Sequence, residues 1–164
     1  MRNSIFLKPL IITLLVLTGL FYLFSWRFII AVPKQSVRCL HAKFLLIDKW
    51  DKDLSPGDLV YFEFAKNTGP LYEGAEVVKK VIAMSGQTVD INEKYVSVDG
   101  NKAVELDMSH GLAKTGLSIS ALTTHYTMQT DELFVMGETP LSYDSRYWGP
   151  IKQEKIMGTA YAIY

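Results

Sequence analysis

The 18 residues from Pro9 to Trp26 carry no charge, and they constrain this chain more than anything else in it. A helix rises ~1.5 Å per residue, so roughly 20 residues cross a hydrocarbon core about 30 Å thick. The run is long enough to span. Apolar character resumes after Arg27 in Phe28-Ile29-Ile30-Ala31-Val32. Arg27 would then lie at one end of the span, where a long cation reaches the interface, with Tyr22 and Trp26 in the aromatic belt. A cleavable export signal is the competing reading, with Arg2 and Lys8 as its basic start. The apolar run exceeds the roughly 7–15 residues usual for such a signal. Moreover, Phe28-Ile29-Ile30-Ala31-Val32-Pro33 offers no small-x-small cleavage site. The expectation is an uncleaved anchor over residues 9–30, with a cytoplasmic tail at residues 1–8. Charge alone does not orient it, because Arg2 and Lys8 face Arg27, Lys34 and Arg38. The shortness of the tail favours keeping it inside and exporting residues 31–164.

The rest of the chain fits one domain. About 130 residues follow the anchor, enough for a β core of ordinary size. The 17 basic residues balance 17 acidic ones, the pI is near 6.8, and no basic run exceeds Lys79-Lys80. Such a chain lacks the electrostatic footprint of a nucleic-acid binder. Cys39 is the only cysteine and the three histidines are scattered, so neither a disulfide nor a zinc cluster is expected, and no metal or cofactor is implied.

Past the anchor, short runs rich in β-branched and aromatic residues alternate with Gly, Asp and Asn. Strands are expected at Phe44 to Asp48, Leu59 to Phe64, Glu76 to Ala83, Thr88 to Asn92, Tyr95 to Val98, Ala103 to Leu106, Leu133 to Met136 and Gly158 to Tyr164. Turn residues separate them: Ser55-Pro56-Gly57-Asp58, Ser85-Gly86-Gln87, and Asp99-Gly100-Asn101 as a hairpin tip. The stretch from Met108 to Thr130, with His110 and His125, has the weakest pattern and reads as an insertion. The fold class is mostly β.

Three segments could carry chemistry. In Val32-Pro33-Lys34-Gln35-Ser36-Val37-Arg38-Cys39-Leu40, Ser36 is by composition an ordinary turn residue, placed just beyond the membrane end. In Ala75-Glu76-Val77-Val78-Lys79-Lys80-Val81-Ile82-Ala83, two lysines interrupt an apolar strand. Side chains alternate along a strand, so the two point to opposite faces and at least one is directed at the buried side. Periodicity does not choose between them. Burial disfavours an ammonium, and an uncharged amine can take a proton from a serine hydroxyl without help from histidine or aspartate. In the third segment, Phe134 to Pro150, Asp144 and Arg146 form either an ordinary turn held by an ion pair or a charge-assisted brace for a packed loop. Ser142 there could offer a hydroxyl to a nearby amine.

With these three segments in order, the chain resembles the type I signal peptidase superfamily of Ser/Lys membrane endopeptidases. The run Ser142-Tyr143-Asp144-Ser145-Arg146-Tyr147-Trp148-Gly149-Pro150 looks more like the TraF-type branch of conjugative plasmid transfer systems, which matures pilin precursors. Gly57-Asp58-Leu59-Val60 also matches a strand opening of the superfamily. The resemblance implies a signal-peptidase-like β catalytic domain with Ser36 as nucleophile and Lys79 as general base. Ser142 would hold the lysine amine, and Asp144 with Arg146 would stiffen the loop. It also implies a single-pass protein of the bacterial inner membrane with a periplasmic catalytic domain. Its partners would be membrane-tethered precursors such as prepilin, the inner-membrane lipid and the conjugative transfer apparatus. The acyl-enzyme would be resolved by water or, in some members, by the substrate's own amine to give a cyclic pilin.

The sequence departs from the superfamily pattern at several positions. Val37-Arg38-Cys39-Leu40 follows Ser36 where Met and then Pro are usual, and Gly137-Glu138-Thr139 stands for Gly-Asp-Asn. Lys34 replaces a hydroxyl residue two before the nucleophile, and Ser85 replaces a proline. These changes point to a specialised substrate, with the backbone N–H of Ser36 as an oxyanion donor. A general signal peptidase and an inactive anchored assembly protein are the rival readings. Cys39, a stronger intrinsic nucleophile as a thiolate, stands in reserve with no histidine placed to activate it.

Overall fold

The computed structural model describes residues 4–33, 39–68, 71–92, 94–105, 112–113, 115–122, 124–139 and 142–164. Helix α1 (Ser4–Arg27) is apolar on all sides. Within Leu7–Arg27 an 18-residue stretch has a mean hydropathy of 2.0 and none of its residues is buried, which suits a membrane span. The chain passes directly from Arg27 into strand β1 (Phe28–Ala31). Residues 28–30, expected as the end of the anchor, are therefore strand. Hydropathy cannot separate the two, because β1 is itself apolar: Ile29 packs beside Ile47, and Ala31 beside Leu45.

The further strands are β2 (Phe44–Asp48), β3 (Leu59–Glu63), β4 (Glu76–Met84), β5 (Thr88–Ile91), β6 (Tyr95–Val98), β7 (Asn101–Glu105), β8 (Thr124–Thr127), β9 (Glu132–Met136), β10 (Ile151–Lys152) and β11 (Ile156–Ile163). Two short helices, α2 (Ile119–Leu122) and α3 (Ser145–Trp148), flank β8 and β10. One sheet has seven strands in the order β1-β2-β11-β3-β4-β9-β10, and a second has four in the order β7-β6-β5-β8. All recorded pairings are antiparallel.

Two buried clusters organise the domain. Val60, Phe62, Phe64, Val81, Leu133, Val135, Trp148 and Ile156 belong to the first. Ala83, Phe134 and Met136 join Val89, Ile91 and Val96 of the smaller sheet in the second. Strands β4 and β9 supply both, and the register shift between Val81 and Ala83 accompanies the change of side. Covered on both faces, β9 is buried along its whole length.

Three differences from the sequence reading have simple causes. Strand β8 lies inside the stretch expected to be an insertion. Its Thr-His-Tyr-Thr sequence leaves only Tyr126 partly buried, so no apolar alternation marks it. Strand β10 is two residues long, too short to leave a pattern. Strand β7 begins at Asn101, earlier than expected, because the hairpin loop is only Asp99 and Gly100 at φ 51° and 78°. Those are the positive φ values of a type I′ turn. Leu106 and His110 lie outside the described residues.

Candidate active site

Strand β4 resolves the two lysines. Lys79 is 2% exposed on the side of Val81, whereas the Lys80 side chain is 41% exposed and lies 3.8 Å from the Glu138 carboxylate. The Lys79 Nζ donates to Ser142 Oγ at 2.8 Å, a contact made wholly in the interior. Among the described residues Lys79 has no ion-pair partner. Its amine is held by a hydroxyl, which fixes its position without adding a countercharge.

Ser142 reaches this position because of Gly137, the first residue past β9. A Cβ built on Gly137 would lie 2.2 Å from Ser142 Oγ, 2.5 Å from Ser142 Cβ and 2.7 Å from the Cys39 carbonyl oxygen. No residue with a side chain fits there without displacing the serine. The missing side chain is thus the space that the serine occupies. A second tie closes the turn, as Ser142 N–H donates to Thr139 O at 3.1 Å.

Asp144 and Arg146 hold the segment after Ser142. Their side chains are 0% and 3% exposed. Asp144 Oδ1 accepts from Arg146 Nε at 2.7 Å and Oδ2 accepts from Arg146 Nη2 at 2.8 Å, a two-pronged charge-assisted pair. Asp144 also caps α3 by accepting from the Arg146 backbone N–H, and takes the Gly137 N–H at 2.9 Å. Arg146 Nη2 donates to the Ser142 carbonyl at 3.2 Å. Burial works against the Arg146 charge, but hydrogen bonds and attraction to Asp144 outweigh it and raise its pKa above the ordinary value. The loop is stitched to β9 once more by Ser145 Oγ, which accepts from Val135 N–H at 3.1 Å. Lys79, Ser142, Asp144, Arg146 and Gly137 therefore form one connected unit.

Ser36 lies outside the described residues, as do Lys34 and Arg38. The chain from Cys39 onward is described, and it runs to this unit. Glu138 N–H donates to the Cys39 carbonyl at 2.7 Å, and the His41 N–H donates to Glu138 Oε2 at 3.0 Å. Glu138, read from the sequence only as a departure from the expected box, thus joins the segment after Ser36 to the end of β9 and to Lys80. Gly137 stands in the same three-residue run, Gly137-Glu138-Thr139. The signal for both was a glycine followed by a carboxylate after the apolar run Leu133-Phe134-Val135-Met136, which sequence alone gave no reason to weigh.

Residues 3–164 match the family described as signal peptidase, peptidase S26. The chain belongs to this peptidase S26 family. It is 28% identical over 125 residues to signal peptidase I V of Bacillus subtilis, covering 70% of each chain. It is 29% identical over 136 residues to the conjugal transfer protein TraF of Agrobacterium fabrum, covering 72% of this chain and 73% of the other. It is 31% identical over 135 residues to a probable conjugal transfer protein TraF of Sinorhizobium fredii, covering 71% and 68%. Membership of the S26 family supports a peptidase role, and the apolar N-terminal helix agrees with a membrane-anchored protein.

Proposed function

We propose that this S26 member is a membrane-anchored serine endopeptidase that removes leader peptides from exported precursors, with Ser36 as nucleophile and Lys79 as general base. The observation that supports it most is the buried Lys79 amine, donating to Ser142 at 2.8 Å with no ion-pair partner among the described residues. An uncharged amine has two N–H donors and one lone pair. With one N–H directed at Ser142, the lone pair is available for the hydroxyl proton of a nucleophile. Ser36 is within reach by chain length, since three residues from Cys39 span at most roughly 10 Å, and the Cys39 carbonyl packs on Gly137 beside Ser142.

In this mechanism the Ser36 hydroxyl attacks the scissile carbonyl as its proton moves to Lys79 Nζ. Backbone N–H groups, that of Ser36 among them, stabilise the oxyanion. The tetrahedral intermediate collapses as Lys79 passes its proton to the leaving amine. Water, activated by the same amine, or the substrate's own amino group then resolves the ester. Ser142 orients the lysine, and Asp144 with Arg146 holds the loop that carries Ser142. The domain lies on the periplasmic side of the bacterial inner membrane, where a tethered nucleophile and a tethered substrate meet with less orientational entropy to lose.

The two relatives named as conjugal transfer proteins favour precursors of a conjugative apparatus, and prepilin is the candidate that the sequence resemblance implies. A general signal peptidase is the second reading, favoured by the Bacillus relative. Incubation of the full chain in detergent with candidate prepilins, followed by product masses, tests the proposal. Cleavage at one bond, lost in Ser36→Ala and kept in Cys39→Ala, is expected. Retained turnover in Ser36→Ala overturns the dyad. Rescue of a strain depleted of its own signal peptidase would favour the general enzyme. Failure to react with an active-site acylating probe would mark an inactive assembly protein.

A further inference from the structure

The junction between α1 and the domain has no linker, and its contacts are unlike those of a flexible tether. Arg27 Nε donates to Asp48 Oδ1 and Oδ2, both at 3.0 Å, and Nη2 donates to Oδ2 at 2.5 Å. The Arg27 guanidinium lies over the rings of Phe28 and Trp50 at 5.0 and 5.3 Å. Trp26 of the helix meets Trp50 edge-on, with centroids 5.1 Å apart. The backbone closes the same joint: Lys49 N–H donates to the Arg27 carbonyl at 3.0 Å, and Lys49 Nζ to the Ser25 carbonyl at 3.1 Å. The receiving segment is itself fixed to the sheet. Asp48 Oδ1 accepts the Trp50 N–H at 3.0 Å, Thr159 Oγ1 donates to the Asp51 carbonyl at 3.0 Å, and Tyr161 OH donates to the Asp51 carboxylate.

The strand register carries this joint to the candidate active site. Phe28 pairs with Asp48, Asp48 with Thr159, Thr159 with Val60, and Val60 with Lys79. One unbroken row of ladder partners thus runs from the first residue after the helix to the buried amine. Four steps at ~4.8 Å each place Lys79 roughly 19 Å across the sheet from the membrane end of the chain.

We propose that the Arg27–Asp48 joint, with Trp26 and Trp50, is the reference from which the enzyme measures its cleavage site. It fixes the height and tilt of the reactive centre over the bilayer, and so decides which bond of a precursor held in the same bilayer arrives there. The inference rests on the peptidase reading above. An extended substrate advances ~3.3 Å per residue, so a shift of a few ångströms in height changes the bond presented. A soluble peptide has no fixed height and does not sense the joint. Arg27 and Asp48 are positioning residues that touch no substrate.

The test uses the full chain in liposomes with two substrates: a candidate prepilin reconstituted in the same bilayer, and a soluble peptide spanning its cleavage site. Three variants break the joint: Asp48→Asn, Arg27→Gln, and insertion of Gly-Ser-Gly between Arg27 and Phe28. Expected is soluble-peptide turnover within about twofold of wild type, which also reports an intact fold. Prepilin cleavage should fall about tenfold or more, or give extra product masses displaced by one or more residues. Wild-type rate and a single wild-type bond on prepilin in all three variants overturn the inference. Parallel loss on both substrates overturns it too, because the joint would then act on the fold of the centre. A wild-type enzyme that cleaves neither substrate refutes the peptidase reading itself, which is a separate result.

Discussion

In the segment that joins β9 to β10 of the seven-stranded sheet the Asp144 and Arg146 side chains pair at 0% and 3% exposure, whereas in the four-stranded sheet Asp90 and His125 pair at 38% and 73%. The contrast extends to the neighbours. Around Asp144 the polar atoms of Lys79, Ser142, Ser145 and Arg146 are interior and satisfied by one another or by the backbone. Around Asp90 the Thr88 and Thr127 hydroxyls meet at 3.1 Å on an exposed surface. The smaller sheet largely follows the ordinary rule, with Val89, Ile91 and Val96 turned to the core and its described polar side chains, the buried Ser97 excepted, exposed or half-buried. The larger sheet departs from it around Lys79. Interior polar groups cost free energy unless fully paired, so a connected set of them at one end of a sheet marks a place selected for something besides stability.

The largest effect expected from this contrast lies at Lys79. Lys79→Met keeps much of the side-chain volume and removes the proton acceptor. Turnover should fall by about 10⁴-fold or more, while the melting temperature holds or rises, because an apolar side chain suits the site at least as well as an amine. Lys80→Met should keep most activity, as its 3.8 Å approach to Glu138 is a half-exposed contact. Steady-state rates beside thermal melts check both. Equal loss in the two variants would make them a structural pair.

How much of this was open to sequence reading follows from the same residues. Alternation gave the strand at residues 76–84 and stated that one lysine points inward, but the two faces of an isolated strand are equivalent. Only the packing of Val81 against Val135 and Leu133 fixes the inner side, and a single strand's pattern does not contain it. The resemblance supplied Lys79 where physics could not. The Ser142–Arg146 segment was legible because its residue types are unusual together. Gly137 was not, since the need for a missing side chain arises from the approach of Ser142 and Cys39, which are distant from each other in the chain. Strand β8 was missed because it is exposed on both sides except at Tyr126.

The next largest effect is on stability. Asp144→Asn leaves the Arg146 charge buried without its partner, which costs about 3–5 kcal/mol, and it weakens the acceptor for the Gly137 N–H and for the α3 cap. Denaturant unfolding should show the loss. Turnover of the folded fraction should drop as well, since Arg146 also holds the Ser142 carbonyl.

Glu132 joins the two regions and should respond to pH. It lies at the start of β9 and accepts from Tyr126 OH of the smaller sheet at 2.6 Å and from the Gln129 N–H at 2.9 Å, with Lys152 of β10 at 3.1 Å. Burial opposes its ionisation, but these donors outweigh burial and hold the carboxyl below the ordinary 4.5. Its folded pKa is the lower one, so its contribution is complete above the ordinary glutamate range and is lost as pH falls through the folded value. Glu132→Gln should cost about 1.5–3 kcal/mol near neutrality. It should also flatten the acid side of the stability profile, measured by unfolding across pH.

The smallest effect completes the comparison with the same chemical change on the other sheet. Asp90→Asn removes a carboxylate that lies 2.5 Å from His125 Nδ1, a shorter contact than any in the Asp144–Arg146 pair. If proximity set the energy, this substitution would rival Asp144→Asn. Both partners stand in water, however, and solvent screens their attraction while each keeps its hydration when the other is lost. An exposed pair of this kind contributes about 0.2–1 kcal/mol. The expected melt is therefore close to wild type and turnover unchanged, with the residual effect fading as salt is added. A loss comparable with that of Asp144→Asn, or one that salt leaves untouched, would show that the Asp90–His125 pair is shielded from solvent in the membrane-bound protein. The division of the domain into a polar interior on one sheet and a solvated surface on the other would then fail.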